Sequence, residues 1–327
     1  MMSNITCILK PCLVYCAAKL DIADHLREKS LTVNELASVT NTDNISLYRL
    51  LRALSMLGIV IEKEEQLFSL TPLGETLRSD VKGSVRSAAL STIGDLWPVW
   101  GQMLHTVRTG ETAFDSVFGV PFWEYCKQHT IEAQNLISTN MEFTELVAKQ
   151  LASSYDFTKY KRIIDIGGGN GSLLVAILEE APNAQGIVFE EGYVLQKAKE
   201  LIEKSSVKGR CKTVSGNFLK SIPANGDCYI LKNILLNWKD EDAILILKNV
   251  RSQMNKGSVL LIIQSLVPEG NQPHPGKIHD VIMMSLYRGK ERTRKQTEFL
   301  LQSAGLKITN VVKTEDPISD IIEVQIV

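Results

Sequence analysis

An α/β fold, with a mostly parallel sheet preceded by a smaller helical module, is predicted by three observations. From residue 156 onward, apolar strands alternate with amphipathic helices, a succession that demands helices on both faces of a parallel sheet. Within that stretch a buried strand runs directly into a glycine cluster and a new helix, IIDIGGGNGSLL at residues 163–174. Ahead of it, Leu13 to Val81 carries the pattern of short helices followed by two short strands. A chain of 327 residues has room for both units.

The elements follow in order. VNELASVT and SLYRLLRALSMLGIV read as helices, and IVIEK and LFSLT pair as strands around the turn EEQ. This is the outline of a helix-turn-helix with a β-wing, an arrangement often used on DNA. The helix from Ser46 to Leu57 is half Leu and Ala, however, and offers only Arg49 and Arg52 to phosphates. Its surplus of apolar surface points to a partner subunit instead. Residues 83–155 are helical and aromatic-bearing, with Trp97, Trp100, Trp123 and Met141 as core or as the wall of an apolar pocket. Then come the strand RIIDIGG, the helix SLLVAILEEAP, the strand AQGIVFE, the helix YVLQKAKELIEKS, the strands CKTVSGNF and CYILKN, the helix DAILILKNVRSQM and the strand SVLLIIQ.

Glycine lets backbone amides approach a ligand and tolerates positive φ. A dinucleotide fingerprint after Gly167 and Gly169 requires glycine at 172, where the chain has serine. The turn instead reads D-x-G-x-G-x-G from Asp165 through Gly167 and Gly169 to Gly171, suited to a nucleoside with an amino-acid tail. The next strand closes on Phe189, Glu190 and Glu191. Glu190, at the strand tip about twenty residues past the glycines, is placed to accept from both ribose hydroxyls.

Lys and Arg total 36 against 37 Asp and Glu, so no net field draws in nucleic acid or an anionic membrane. No apolar run reaches the length of a membrane span, and the first twenty residues lack the pattern of a signal peptide. Six cysteines without a CxxC pair or a His at ligand spacing read as free thiols in a reducing cytoplasm, with no metal site.

Taken in order, these motifs resemble the S-adenosylmethionine-dependent small-molecule O-methyltransferases, the family of the caffeic acid and acetylserotonin enzymes and of bacterial tailoring enzymes. LDIADHL, RLLRALSMLGIV and LTPLGETL resemble its winged-helix dimerisation domain; VRTGETAF and PFWEYC resemble its helical linker. DIGGGNG, ILKNILLNWKDEDA, PHPGKIHDVIMM and GKERT resemble its catalytic domain. The resemblance implies a class I methyltransferase, Rossmann-like sheet over residues 156–327, an all-helical or winged-helix dimerisation domain over 1–88, and a linker over 89–155 that walls the substrate pocket. It implies a cytoplasmic homodimer of secondary metabolism, with S-adenosylmethionine as cofactor and a small molecule as substrate, and with no nucleic acid or membrane partner.

The same resemblance places Gly167, Gly169 and Gly171 around the amino-acid tail above Asp165, and Glu190 on the ribose. Asn217 and Phe218 fall at the adenine end, and Lys232 beside the cofactor. Where the family ends a segment His-Asp-Trp and uses that His to take the acceptor's proton, this chain has Leu236 and Asn237, and a steering Glu appears as Gln264. Only Glu291 of the polar set remains, with Asp280 matching a family acid and His279 a candidate substitute base. Consecutive helical residues point in different directions, which counts against His279 and Asp280 acting together. The expected acceptor is therefore one that needs no base at 236: a carbon, a nitrogen or an acidic oxygen. A non-methylating cyclase, pericyclase or hydroxylase of the same fold is the alternative. Trp97, Trp100, Met141, Leu236, Gln264 and Met284 are the expected substrate-pocket residues.

Overall fold

The computed structural model describes Met1, Met2 and residues 6–327. The chain divides into two compact units, Met1–Trp100 with His129–Phe143, and Gly101–Gln128 with Thr144–Val327. Residues expected to form one linker are thus shared between the two.

In the first unit the helices Val33–Thr40 and Asn44–Met56 close over a core of Leu36, Leu51, Leu54 and Phe68. The ends of both helices are set by their sequence. Thr32 and Glu35 form a reciprocal capping box, and the Asp43 carboxylate accepts from the Ser46 amide. Strands β1 (Leu31–Thr32), β2 (Val60–Lys63) and β3 (Leu67–Leu70) form an antiparallel sheet in the order β1-β3-β2, with the expected turn at Glu64–Gln66. The short first strand escaped the sequence reading because two residues carry no alternation to detect. Farther along, the Glu142 carboxylate accepts from the amides of Ser87 and Ala88 at the start of the helix Arg86–Leu90.

The second unit holds a seven-stranded sheet in the order β6-β5-β4-β7-β8-β10-β9. Its strands are β4 (Arg162–Ile166), β5 (Gln185–Glu190), β6 (Cys211–Ser215), β7 (Cys228–Lys232), β8 (Val259–Gln264), β9 (Leu306–Val312) and β10 (Asp320–Ile326). Strands β4 to β8 pair in parallel, and β10 runs antiparallel between β8 and β9. Every residue of β7 and β8 is buried, which is why both read as unbroken apolar runs. Leu173, Leu174, Ile177 and Leu178 cover one face, with Leu151 and Phe157; Ile246, Leu247, Val250, Leu300 and Leu301 cover the other. Because the central strands are parallel, Ile166, Glu190, Lys232 and Gln264 all arrive at one edge of the sheet. That edge is where an open α/β sheet binds ligands.

Candidate active site

The glycine turn leaves β4 at Ile166, and Gly167, Gly169 and Gly171 adopt φ of 69°, 56° and 76°. Only glycine takes these values without strain. Space is equally restrictive. A methyl group on Gly167 would run into the side chain of Ile234, and one on Gly168 would sit 2.7 Å from Oδ2 of Asp165. Glu190 holds the turn from the neighbouring strand: Oε2 accepts from the Gly169 amide at 3.1 Å and Oε1 from the Glu191 amide at 2.8 Å. Burial raises the Glu190 carboxyl above its ordinary range, partly offset by these two amides. Asn217 donates from Nδ2 to Glu191 at 3.1 Å and accepts from the Leu219 amide at 2.8 Å, while Phe218 stands edge-on to Trp238. A floor of positive-φ glycines, two carboxylates at the next strand tip and an aromatic ring beside Gly167 fit a nucleoside carrying an amino-acid tail.

Beneath the turn lies a buried charge set. Asp165 is 2% exposed, and burial followed by the charge of Glu190 pushes its carboxyl up to about 7, with Lys232 pulling the other way. Lys232 closes β7, donates to Thr144 Oγ1 at 3.2 Å, and is lowered to about 8 by burial, against the attraction of Asp316 and Asp165.

Past Lys232 the chain makes a tight excursion. Asn233 takes φ of 54°, an uncommon value for a residue other than glycine, and Leu235–Asn237 forms one turn of 3₁₀ helix. Leu236 is 2% exposed, and Asn237 turns back to donate to the Asn233 carbonyl at 2.9 Å. The loop is pinned by Arg292, itself 1% exposed, which donates to the carbonyls of Leu235 and Trp238 and to the Asp240 carboxylate. Lys290 binds the other oxygen of Asp240. The sequence reading missed Arg292 and Asp240. GKERT stands out for its Glu, and Asp240 sits in a charged run with the pattern of a solvated face; a lone Arg two residues before the helix Arg294–Ser303 is the available signal.

Glu291 is buried as well. Its Oε1 lies 2.6 Å from Nδ1 of His279, its amide donates to Asp280 Oδ1 at 2.8 Å, and Oε2 has no hydrogen-bond partner among the described residues. Thus the three candidates Glu291, His279 and Asp280 do meet. His279 and Asp280 diverge on the helix Gly276–Leu286 as expected, yet one reaches the Glu291 side chain and the other its backbone. Gln264, at the end of β8, is 1% exposed and its Oε1 is also unpartnered among the described residues. Met284 is half-buried in the same unit, where Phe122, Trp123 and Tyr287 pack ring against ring. The other pocket candidates belong to the first unit. Trp97 is 49% exposed, Trp100 donates from its indole to the Thr92 carbonyl at 2.6 Å, and Met141 is buried.

Comparison with known proteins identifies the family. Residues 100–307 match the O-methyltransferase domain family and residues 2–80 the O-methyltransferase dimerisation domain. A phenazine O-methyltransferase of Lysobacter antibioticus is 37% identical over 306 residues, 94% of this chain and 90% of that protein. The aclacinomycin 10-hydroxylase of Streptomyces purpurascens is 29% identical over 324 residues, 95% of this chain and 84% of that protein. The crystal structure of LaPhzM matches with a TM-score of 0.95 at 35% identity, covering 100% of this chain and 98% of that one. Similar solved structures carry S-adenosylmethionine or S-adenosylhomocysteine. The matches over residues 100–307 and 2–80, carried on a sheet of this order, place the chain in the S-adenosylmethionine-dependent O-methyltransferase family.

Proposed function

We propose that this methyltransferase acts on a small natural-product acceptor and uses no base on the loop after β7. Buried Leu236 carries the reading, because nothing at that position can accept a proton. The acceptor is accordingly a carbon, a nitrogen or an acidic oxygen, and rate comes from holding it in line with the methyl group, an effect that can be large. The similarity to a phenazine O-methyltransferase favours a planar aromatic molecule.

Gly167, Gly169 and Gly171 cradle the cofactor's amino-acid tail over Asp165, with Lys232 beside it. Glu190 takes the ribose, and Asn217 and Phe218 the adenine end. When bound, S-adenosylmethionine supplies an electrophilic methyl on a positive sulfonium. Leu236, Gln264 and Met284 line the acceptor side. The first 88 residues act as a winged-helix dimerisation module in a cytoplasmic homodimer without nucleic-acid contacts. Exposed Leu9, Val39, Ile45 and Met56 on its helices support that partner role.

The test is to incubate the protein with S-adenosylmethionine and a panel of hydroxyphenazines, hydroxynaphthoic acids and aromatic amines, and to measure S-adenosylhomocysteine. Stoichiometric release with a methylated product is expected. A second reading, in which the sulfonium polarises a substrate without transfer, is favoured by the similarity to a hydroxylase. Product of altered mass without release of S-adenosylhomocysteine would select it.

A further inference from the structure

We infer that the imidazole of His279 is the group that receives the acceptor's proton, so that the acceptor atom is a hydroxyl oxygen. This rests on the methyl-transfer reading above and selects its oxygen acceptor, with the proton taken from the helix Gly276–Leu286 and not from the loop after β7. Three features of the site carry it. First, the Nδ1–Oε1 contact of 2.6 Å has the length of a charge-assisted hydrogen bond. With Glu291 accepting, Nδ1 carries the hydrogen, and the lone pair of Nε2 is left free to take a proton. Nothing among the described residues hydrogen-bonds to Nε2.

Second, the carboxylate is held still. The Glu291 side chain is 1% exposed, its amide is fixed by Asp280, and the next residue, Arg292, is tied to Leu235, Trp238 and Asp240. Its second oxygen is buried and unpartnered. A buried carboxylate in this state stabilises the imidazolium formed when Nε2 accepts a proton. Nearby cations do not compete for it: Lys277 binds the Gly270 carbonyl and Lys290 binds Asp240.

Third, the pair lies beside the loop that carries Leu236. A methyl group on Gly289 would strike the Leu236 carbonyl, and Arg292 binds the carbonyl just before it, so residues 289–292 thread along that loop. The imidazole therefore reaches this carboxylate from the helix Gly276–Leu286 rather than from position 236. His279 is 27% exposed, which leaves a route for the proton to water.

In the reaction the acceptor oxygen forms its bond to the transferred methyl carbon while the carbon–sulfur bond breaks and its electron pair stays on sulfur. The O–H proton passes to Nε2, and the imidazolium returns it to solvent. His279 is the catalytic residue; Glu291 and Asp280 are positioning residues.

Four measurements decide the matter, with 1-hydroxyphenazine as the acceptor probe. In His279→Gln, kcat should fall by about 10²- to 10³-fold with KM for the acceptor within about threefold. The acidic limb of the rate profile should disappear, and S-adenosylmethionine affinity by calorimetry should stay within about twofold. Proton NMR of the wild type without ligands should show a far-downfield Nδ1–H resonance that is lost in both His279→Gln and Glu291→Gln. Turnover of His279→Gln within about threefold of wild type, or an unchanged acidic limb, overturns the assignment. A wild type that releases S-adenosylhomocysteine with amine or carbon acceptors but with no hydroxyl overturns the assignment and leaves methyl transfer standing. Release with no acceptor of any class overturns both.

Discussion

The guanidinium of Arg292 donates from both Nε and Nη2 to one oxygen of Asp240, at 3.1 and 2.8 Å, while its remaining donors reach the carbonyls of Leu235 and Trp238. One side chain thereby closes the loop between β7 and the following helix. Lysine keeps the charge but loses the planar fork, and three hydrogens on one nitrogen cannot reproduce bonds made from Nε, Nη1 and Nη2. Arg292→Lys is expected to cost about 2 kcal/mol, below the usual loss for a broken buried pair because Asp240 is a third exposed. Urea denaturation should show a lower midpoint with an unchanged slope, and turnover should fall as the loop carrying Leu236 loosens. An unaltered midpoint would remove Arg292 from this role.

Asp165 sets a pH dependence whose sign follows from its burial. Its carboxyl is raised from 3.8 to about 7, so the folded chain keeps a proton that the unfolded chain releases. The stabilisation is complete below about pH 4 and is lost as pH rises to about 7. Asp165→Asn imitates the protonated form and lacks this slope. In melting curves without cofactor, the variant should gain on the wild type from pH 5 to about pH 7 and the difference should level off by pH 8. Lys232, lowered to about 8, gives the wild type the opposite slope at higher pH, stability rising from about 8 toward 10.5. Parallel curves for the two proteins between pH 5 and 8 would contradict the assignment.

Much of the second unit was legible because its signals are local. The apolar runs of β7 and β8, the four glycines and the acid at the tip of β5 each report on themselves. The site around Glu291 was legible only as a set of candidates. Whether His279 reaches Glu291 depends on how the helix Gly276–Leu286 faces residues 289–292, a tertiary relation without periodicity or motif. The positive φ of Asn233 was hidden for a similar reason, since asparagine marks turns as often as strained positions. Strands β9 and β10 went unread because LKITNVV and DIIEVQI lie beyond the last helix-strand alternation. They reverse the parallel pattern that organised the rest.

The glycine turn offers a direct test of cofactor geometry. At Gly167 alanine must adopt φ near 69° and displace Ile234, each unfavourable by about 1 kcal/mol or more. Gly167→Ala should therefore weaken S-adenosylmethionine binding at least about tenfold in calorimetry. Gly209 has ordinary φ and open space around it, so Gly209→Ala is the matched control and should bind like wild type. Equal affinity for both variants would place the cofactor elsewhere.

The last expectation concerns whether one carboxylate can serve an imidazole from either side. In the otherwise native chain, Leu236→His puts a polar ring into a slot that is 2% exposed, while Oε1 of Glu291 is already taken by His279. Burial of a poorly paired ring costs about 1–3 kcal/mol, a loss of several degrees in melting temperature, and turnover should decline. Combining Leu236→His with His279→Gln changes the balance, because the Glu291 carboxylate is released and residues 289–292 lie against the loop that now carries the ring. The double variant should recover about tenfold in kcat over His279→Gln alone, a fraction of the full contribution of a positioned base. Its downfield ring N–H resonance should return as well, reporting the new contact independently of turnover. If the double variant is no faster than His279→Gln and shows no such resonance, Glu291 does not serve the two positions interchangeably. The helix-borne imidazole would then be a fixed partner rather than a relocated one.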